Sequence, residues 1–407
     1  MRTSTRSFAL AAVLSLLALG CSQPAVAPPD AGPPKPKPIK IGEYGSLTGG
    51  TATFGQSTKK GVDLAIEEIN AAGGVKGRPL QVLVEDDQGK PEEAAQVVQK
   101  LISQDKVVAI IGEVASSRSL AAAPICQQAG IPMITPSSTN EQVTLVGDYI
   151  FRVCFIDPFQ GEVCAKFARE NLGAKSAAIL KDIRNDYSVG LAKAFNETFT
   201  ALGGKIAAEV AYSEGDKDFR GQLTQIKSSK PDIIFVPGYY TEAGLIAQQA
   251  REQGLTQPLL GGDGWESPKL LEIGGAALEG SYYCNHYFAG APIPRIQEFV
   301  AKYKAKFNEE PDSIAALAYD AAKLLAVSME KAPSLAGSDI RDVLATTTGY
   351  EGVTGTITFD ANRNPVKPAV MLKIEGGKIN FVAEVGGSAP AATETAPVVA
   401  APSGATN

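Results

Sequence analysis

The chain has 407 residues, 44% apolar and 20% charged, which fits two folded cores and excludes both a disordered chain and a membrane bundle. Thirty-eight Lys+Arg against 44 Asp+Glu leave a formal charge of −6, which argues against nucleic acid or an anionic lipid surface as the main partner. A single histidine, His286, leaves little from which to build a Ser-His-Asp triad or a multi-histidine metal site.

In chain order, Arg2 and Arg6 precede an apolar run, Phe8–Gly20, too short to span a bilayer. Residues 1–20 therefore read as an export signal. The run ends in Leu17-Ala18-Leu19-Gly20-Cys21, and a small residue before a cysteine here resembles a bacterial lipoprotein signal, in which Cys21 is lipidated. Ala18 and Leu19 stand in reverse of the usual order, so an ordinary secretory signal with Cys21 incidental is the alternative. Seven prolines between Ser22 and Pro38 make residues 21–38 an extended tether, reaching roughly 50 Å at polyproline rise. At the far end, residues 384–407 are rich in Ala, Pro, Thr and Ser without apolar periodicity and read as a disordered tail.

Between the tails, strand and helix patterns alternate. Residues 39–44 form a strand, and Val62, Ala65, Ile66 and Ile69 mark a helix that stops at Gly73-Gly74. Residues 80–84 form a strand, Pro91 opens a helix running to Ser103, and residues 107–111 and 131–134 are buried-type strands around a further helix. The rhythm restarts after residue 155 with strands at 177–180, 205–211 and 233–236 and helices at 188–201, 218–228 and 241–253. A helical stretch over 294–331 then precedes strands at 356–359, 369–375 and 378–382. Such alternation means parallel sheets with crossover helices, and the break near Arg152–Asp157 divides them into two α/β lobes.

Several segments resemble the periplasmic branched-chain amino-acid-binding proteins: Gly45-Ser46-Leu47-Thr48-Gly49, the run Glu68–Leu80, Glu85-Asp86-Asp87, Ile111–Ser117, Pro132–Pro136 and Gly261–Trp265. The resemblance covers about residues 39–383 and implies two Rossmann-like lobes with parallel sheets joined by three hinge strands. It places residues 39–153 and 286–350 in the first lobe and 154–285 and 351–383 in the second. It also implies an uptake function, in which a free amino acid is caught by hinge closure and passed to the permease subunits of an ABC transporter. The protein is then expected on the periplasmic side of the envelope, monomeric, held to the membrane only by its lipid, with no cofactor and no catalytic role. A sensing receptor of the same fold stays open as an alternative. An exported hydrolase is disfavoured by the absence of a Gly-x-Ser-x-Gly motif, and a nucleotide site by the absence of both Gly-x-Gly-x-x-Gly and a Walker lysine motif.

The residues themselves suggest a site. Ala115-Ser116-Ser117 and Pro136-Ser137-Ser138-Thr139-Asn140 follow two strands, where serines are expected to cap helix starts and hold a carboxylate. The resemblance implies that Ser116 and Thr139 take the ligand carboxylate, that the Ser137 carbonyl takes its ammonium, and that Ala115 and Ser138 are also ligand-binding residues. It likewise makes Asp263 the acid that meets the ammonium. Phe54, Tyr187, Tyr239 and Trp265 are the expected aromatic walls. Cys126, Cys154, Cys164 and Cys284 allow three pairings, with Cys154–Cys284 and Cys154–Cys164 both open, and no cysteine spacing suits a metal.

Overall fold

The computed structural model describes residues 36–386. The export signal, Cys21 and nearly all of the tether and tail lie outside them. No helix among the described residues is long and apolar enough to cross a membrane.

Five strands form the first sheet: β1 (Ile39–Gly45), β2 (Leu80–Asp86), β3 (Ile110–Ile111), β4 (Met133–Thr135) and β5 (Ile150–Arg152). Their order is β2-β1-β3-β4-β5 and every pair is parallel. The next five are β6 (Ser176–Asp182), β7 (Lys205–Tyr212), β8 (Ile233–Val236), β9 (Leu259–Gly261) and β10 (Tyr282–Asn285). After a short antiparallel ribbon, β11 (Tyr350–Gly352) with β12 (Gly355–Ile357), come β13 (Ala369–Glu375) and β14 (Lys378–Val385). The second sheet runs β14-β13-β10-β9-β8-β6-β7, parallel except at the antiparallel β10–β13 and β13–β14 pairs. One of its inner strands, Ile233-Ile234-Phe235-Val236, is buried on every residue, as a strand covered by helices on both faces must be.

Two elements differ from their sequence pattern. The strand expected over 107–111 is reduced to Ile110–Ile111. The helical stretch expected over 294–331 is broken into two helices, Pro294–Phe307 and Ser313–Lys331. Asn308 adopts a left-handed φ of 56°, and the Asp312 side chain accepts from the Ala315 N–H at 2.8 Å to start the second helix afresh. Pro311 between them has no N–H to continue the first.

The helix Ser313–Lys331 packs on Ala52–Ala71 and joins the core of the first sheet. Gly61 permits that approach, because a Cβ there would lie 2.2 Å from the Ala315 carbonyl oxygen. Among the described residues the chain passes between the two cores three times, near residues 153–157, 285–293 and 358–368. The third passage corrects the boundary drawn at residue 351. Val353 and Ile357 pack into the first core, and the Val353 and Thr354 N–H groups donate to buried Asp320, so the ribbon belongs with the first lobe. All four described cysteines are buried free thiols, so neither open pairing is formed.

Glu43, on central strand β1, is buried and its Oε2 has no hydrogen-bond partner. Burial, reinforced by the charge of Asp63, pushes its carboxyl up to about 8. The folded state therefore favours the protonated form; this stabilisation is complete below the ordinary value of 4.5 and is lost as pH rises towards 8. Glu43→Gln is expected to melt with the wild type at about pH 4 and several degrees above it at about pH 9. Equal melting at both pH values would show that Glu43 ionises freely in the fold.

Candidate functional site

The loops after β3 and β4 meet at the edge of the first lobe. Ala115 precedes the helix Ser116–Ala129 with extended backbone and no capping side chain. The serines behind it do not cap, contrary to expectation. Ser116 Oγ accepts from the Asn140 N–H at 3.2 Å, and Ser117 Oγ accepts from the Asp186 N–H of the other lobe at 2.9 Å. Ser138 Oγ lies 2.9 Å from the Glu113 carbonyl and 2.7 Å from Ser119 Oγ, fastening one loop to the other. The second expected helix entrance is only a single turn, Gln142–Leu145. Its loop is held instead by buried Arg152, which donates to the Ser138 carbonyl and, at 2.8 Å, to that of Asn140. Long-range hydrogen bonds have replaced local caps.

Some polar groups here are unspent. Thr139 Oγ1 is buried with no hydrogen-bond partner, as are both carboxylate oxygens of Asp157, the first residue of the helix Asp157–Lys166. The two side chains adjoin without a well-formed bond, although the Asp157 N–H donates to the Thr139 carbonyl at 2.9 Å. Burial raises the Asp157 carboxyl well above the usual carboxylate range. Unpaired buried polar atoms are costly, so such a cluster calls for a ligand or water to complete it. Sequence reasoning passed over Asp157 because Asp157-Pro158 at a helix start reads as ordinary helix initiation.

Across from these loops, Asp263 begins a short 3₁₀ turn after β9. Its Oδ1 accepts from Gln160 Nε2 at 2.9 Å, and its Oδ2 lies 2.9 Å from His286 Nε2 and 3.4 Å from Ser137 Oγ. Burial lowers the His286 pKa, against the opposing pull of Asp263, and Nε2 is the ring nitrogen that faces the carboxylate. Tyr187 and Tyr239 stack with ring centroids 5.4 Å apart, and the Tyr187 hydroxyl accepts from the Gly264 N–H at 3.1 Å. Phe54, from the first lobe, meets Tyr239 and Tyr240 edge-on at 5.3 and 5.2 Å.

Together these elements enclose a small cleft between the lobes, with about 10 Å³ of open space. Ser137, Asp263 and the two tyrosines line it with Phe54, Val114 and Ile314. Ile314 comes from the start of the late helix, more than 250 residues from Phe54, and no local pattern marks it. Ala115, Ser116, Ser138 and Thr139 lie in the loops that bear Val114 and Ser137 but are not on the wall itself. Trp265 is the clear correction. It is fully buried, donates from Nε1 to the Val236 carbonyl at 3.0 Å and packs in the second core near Tyr283.

Arg118, Glu113 and Tyr240 do not line the cleft. The Arg118 guanidinium donates to Ser46 Oγ at 2.8 Å and Thr51 Oγ1 at 2.9 Å, pairs with Glu113, and reaches Glu214 of the second lobe at 3.1 Å. With Thr241 Oγ1 donating to the Gly50 carbonyl at 2.7 Å and Thr53 Oγ1 3.0 Å from Ser267 Oγ, these contacts close the lobes on each other. A closed cleft with one carboxylate, hydroxyls and apolar walls, and no cationic side chain lining it, suits a small ligand that brings its own positive charge.

A model of the periplasmic binding protein family matches residues 38–378. A leucine-, isoleucine-, valine-, threonine- and alanine-binding protein of Pseudomonas aeruginosa is 34% identical over 324 residues, 79% of this chain and 86% of its own. The crystal structure of a leucine-binding protein, LivK, from Thermotoga maritima superposes with a TM-score of 0.83 at 40% identity, covering 86% of this chain and 99% of that one. The branched-chain amino-acid transporter substrate-binding protein LivJ of Streptococcus pneumoniae, solved with isoleucine, gives 0.81 at 38% identity over the same shares.

Proposed function

Because the chain belongs to the periplasmic branched-chain amino-acid-binding protein family, we propose that it captures one free aliphatic α-amino acid between its lobes and hands it to the permease of an ABC importer. Family members are substrate-binding proteins rather than enzymes, and the family places the chain in the periplasm. The observation that carries the reading is the wall of the cleft: a single carboxylate, Asp263, among Phe54, Val114, Ile314 and two tyrosines. Asp263 takes the ammonium, with the Ser137 carbonyl beside it. Ser116 and Thr139, in the loops beside that wall, take the carboxylate. The apolar wall then receives the side chain. Contacts from both lobes make the closed form the one that ligand stabilises. Lipidation at Cys21 then tethers a monomeric receptor beside its permease.

A thermal-shift screen of the twenty amino acids on stripped protein tests this. A true ligand at a hundred times its dissociation constant stabilises by about 2.7 kcal/mol, a rise of several degrees. We expect leucine, isoleucine or valine to lead. A screen in which none of the twenty raises the melting temperature contradicts the proposal.

A further inference from the structure

We infer that Gln160 and His286 are positioning residues that hold the Asp263 carboxylate for the ligand ammonium and tie it to two of the three passages between the lobes. The inference rests on the amino-acid reading above and deepens it. Asp263 stands on a three-residue turn that has few internal constraints of its own. What fixes its carboxylate comes from elsewhere.

Gln160 grips residue 263 twice, donating from Nε2 to Oδ1 at 2.9 Å and accepting the main-chain N–H on Oε1 at 2.8 Å. It lies on the helix Asp157–Lys166, which starts where the first passage ends. His286 is the first residue after β10, at the start of the second passage, and its Nε2 lies 2.9 Å from Oδ2. Its ring stacks on Phe155 of the first passage with centroids 3.8 Å apart. The one histidine thus touches both passages and the recognition carboxylate. The same loop is fastened a second time: Glu266 Oε2 accepts from Asn285 Nδ2 at 2.8 Å, and the Asn285 side chain accepts the His286 N–H at 2.8 Å.

Two consequences follow. A carboxylate already oriented by N–H donors on both oxygens loses little freedom when an ammonium arrives, so the held acid binds more tightly than a free one. An ammonium that draws on Asp263 also draws on His286 and Gln160, which couples charge recognition to the segments that move when the lobes close. Aromatic packing alone does neither.

The proton position makes this testable without a ligand. With Nε2 facing a carboxylate and Nδ1 lacking any partner, the ring should be held as the Nε2–H tautomer. Because His286 is the sole histidine, a ¹⁵N-histidine spectrum of the mature protein reports it alone. We expect a single Nε2–H signal that moves strongly in Asp263→Asn. An Nδ1–H ring, or a signal indifferent to Asp263→Asn, overturns the contact.

The binding arm uses calorimetry with leucine and its 2-keto acid. His286→Phe keeps an aromatic ring against Phe155 and removes the donor. It should weaken leucine at least tenfold more than the keto acid, and His286→Gln should recover most of that difference. Equal loss for both ligands, or no recovery with Gln, reduces His286 to packing and overturns the inference. If the wild type binds no amino acid, the functional reading fails on its own, and the tautomer spectrum still decides whether His286 holds Asp263.

Discussion

Asp263→Asn is expected to cost leucine binding about 3–5 kcal/mol, the penalty for removing one partner of a buried charge pair, while the 2-keto acid of leucine loses far less. At roughly 1.4 kcal/mol per tenfold, that is a loss of two to four orders of magnitude for the amino acid. Only the amino acid brings a cation to this carboxylate. The substitution has a structural cost as well. Both oxygens of Asp263 face N–H donors, from Gln160 and from His286, and an amide offers only one acceptor oxygen. One donor is left facing an N–H₂ group, at about 1–3 kcal/mol of stability. Melting must therefore be recorded beside affinity. Equal affinity losses for amino acid and keto acid would show that Asp263 serves the fold and not the ligand.

The second large effect is expected at the other end of the ligand. Ser116→Ala with Thr139→Ala removes two hydroxyls assigned to the carboxylate, each bond to a charged group being worth roughly 1.5–3 kcal/mol. Together they should make binding undetectable for a ligand held in the micromolar range. Their stability costs should differ. Ser116 Oγ satisfies the buried Asn140 N–H, so its loss leaves a donor unpaired and costs about 1–3 kcal/mol. Thr139 Oγ1 has no partner, so removing that hydroxyl forfeits no bond within the protein. A double variant that binds its amino acid within about threefold of wild type would remove the carboxylate from these loops.

The legible parts of the chain were those where local chemistry decides. Pro91 at a first helical turn and the unbroken apolar run Ile233–Val236 gave elements whose observed limits, Pro91–Ser103 and Ile233–Val236, match the pattern. Periodicity alone missed the break at Asn308–Asp312, because the apolar spacing on either side remains helical and only a left-handed residue and a proline separate the two helices. Within the site, Phe54, Ser137, Tyr187, Tyr239 and Asp263 meet at one cleft, although they come from separate loops. Sequence proximity misled in one place. Trp265 is two residues from Asp263, but the 3₁₀ turn between them sends the indole into the core against Gly261, where a Cβ would meet the ring at 2.2 Å. Hydroxyl-rich loops misled in another, since serines read as caps are bonded across loops and lobes. Ile314 and Asp157 had no local signal, because each acquires its place only when distant segments pack.

The central claim is that the cleft recognises an ammonium and a carboxylate together with an aliphatic side chain. Isothermal titration of the mature protein, unfolded and refolded to strip bound solute, tests it most directly, with leucine, its 2-keto acid and benzoate as titrants. The account predicts saturable one-to-one binding of leucine, weakened by orders of magnitude when the ammonium is absent and undetectable for benzoate. Tight binding of benzoate or the keto acid with no heat from leucine would contradict it.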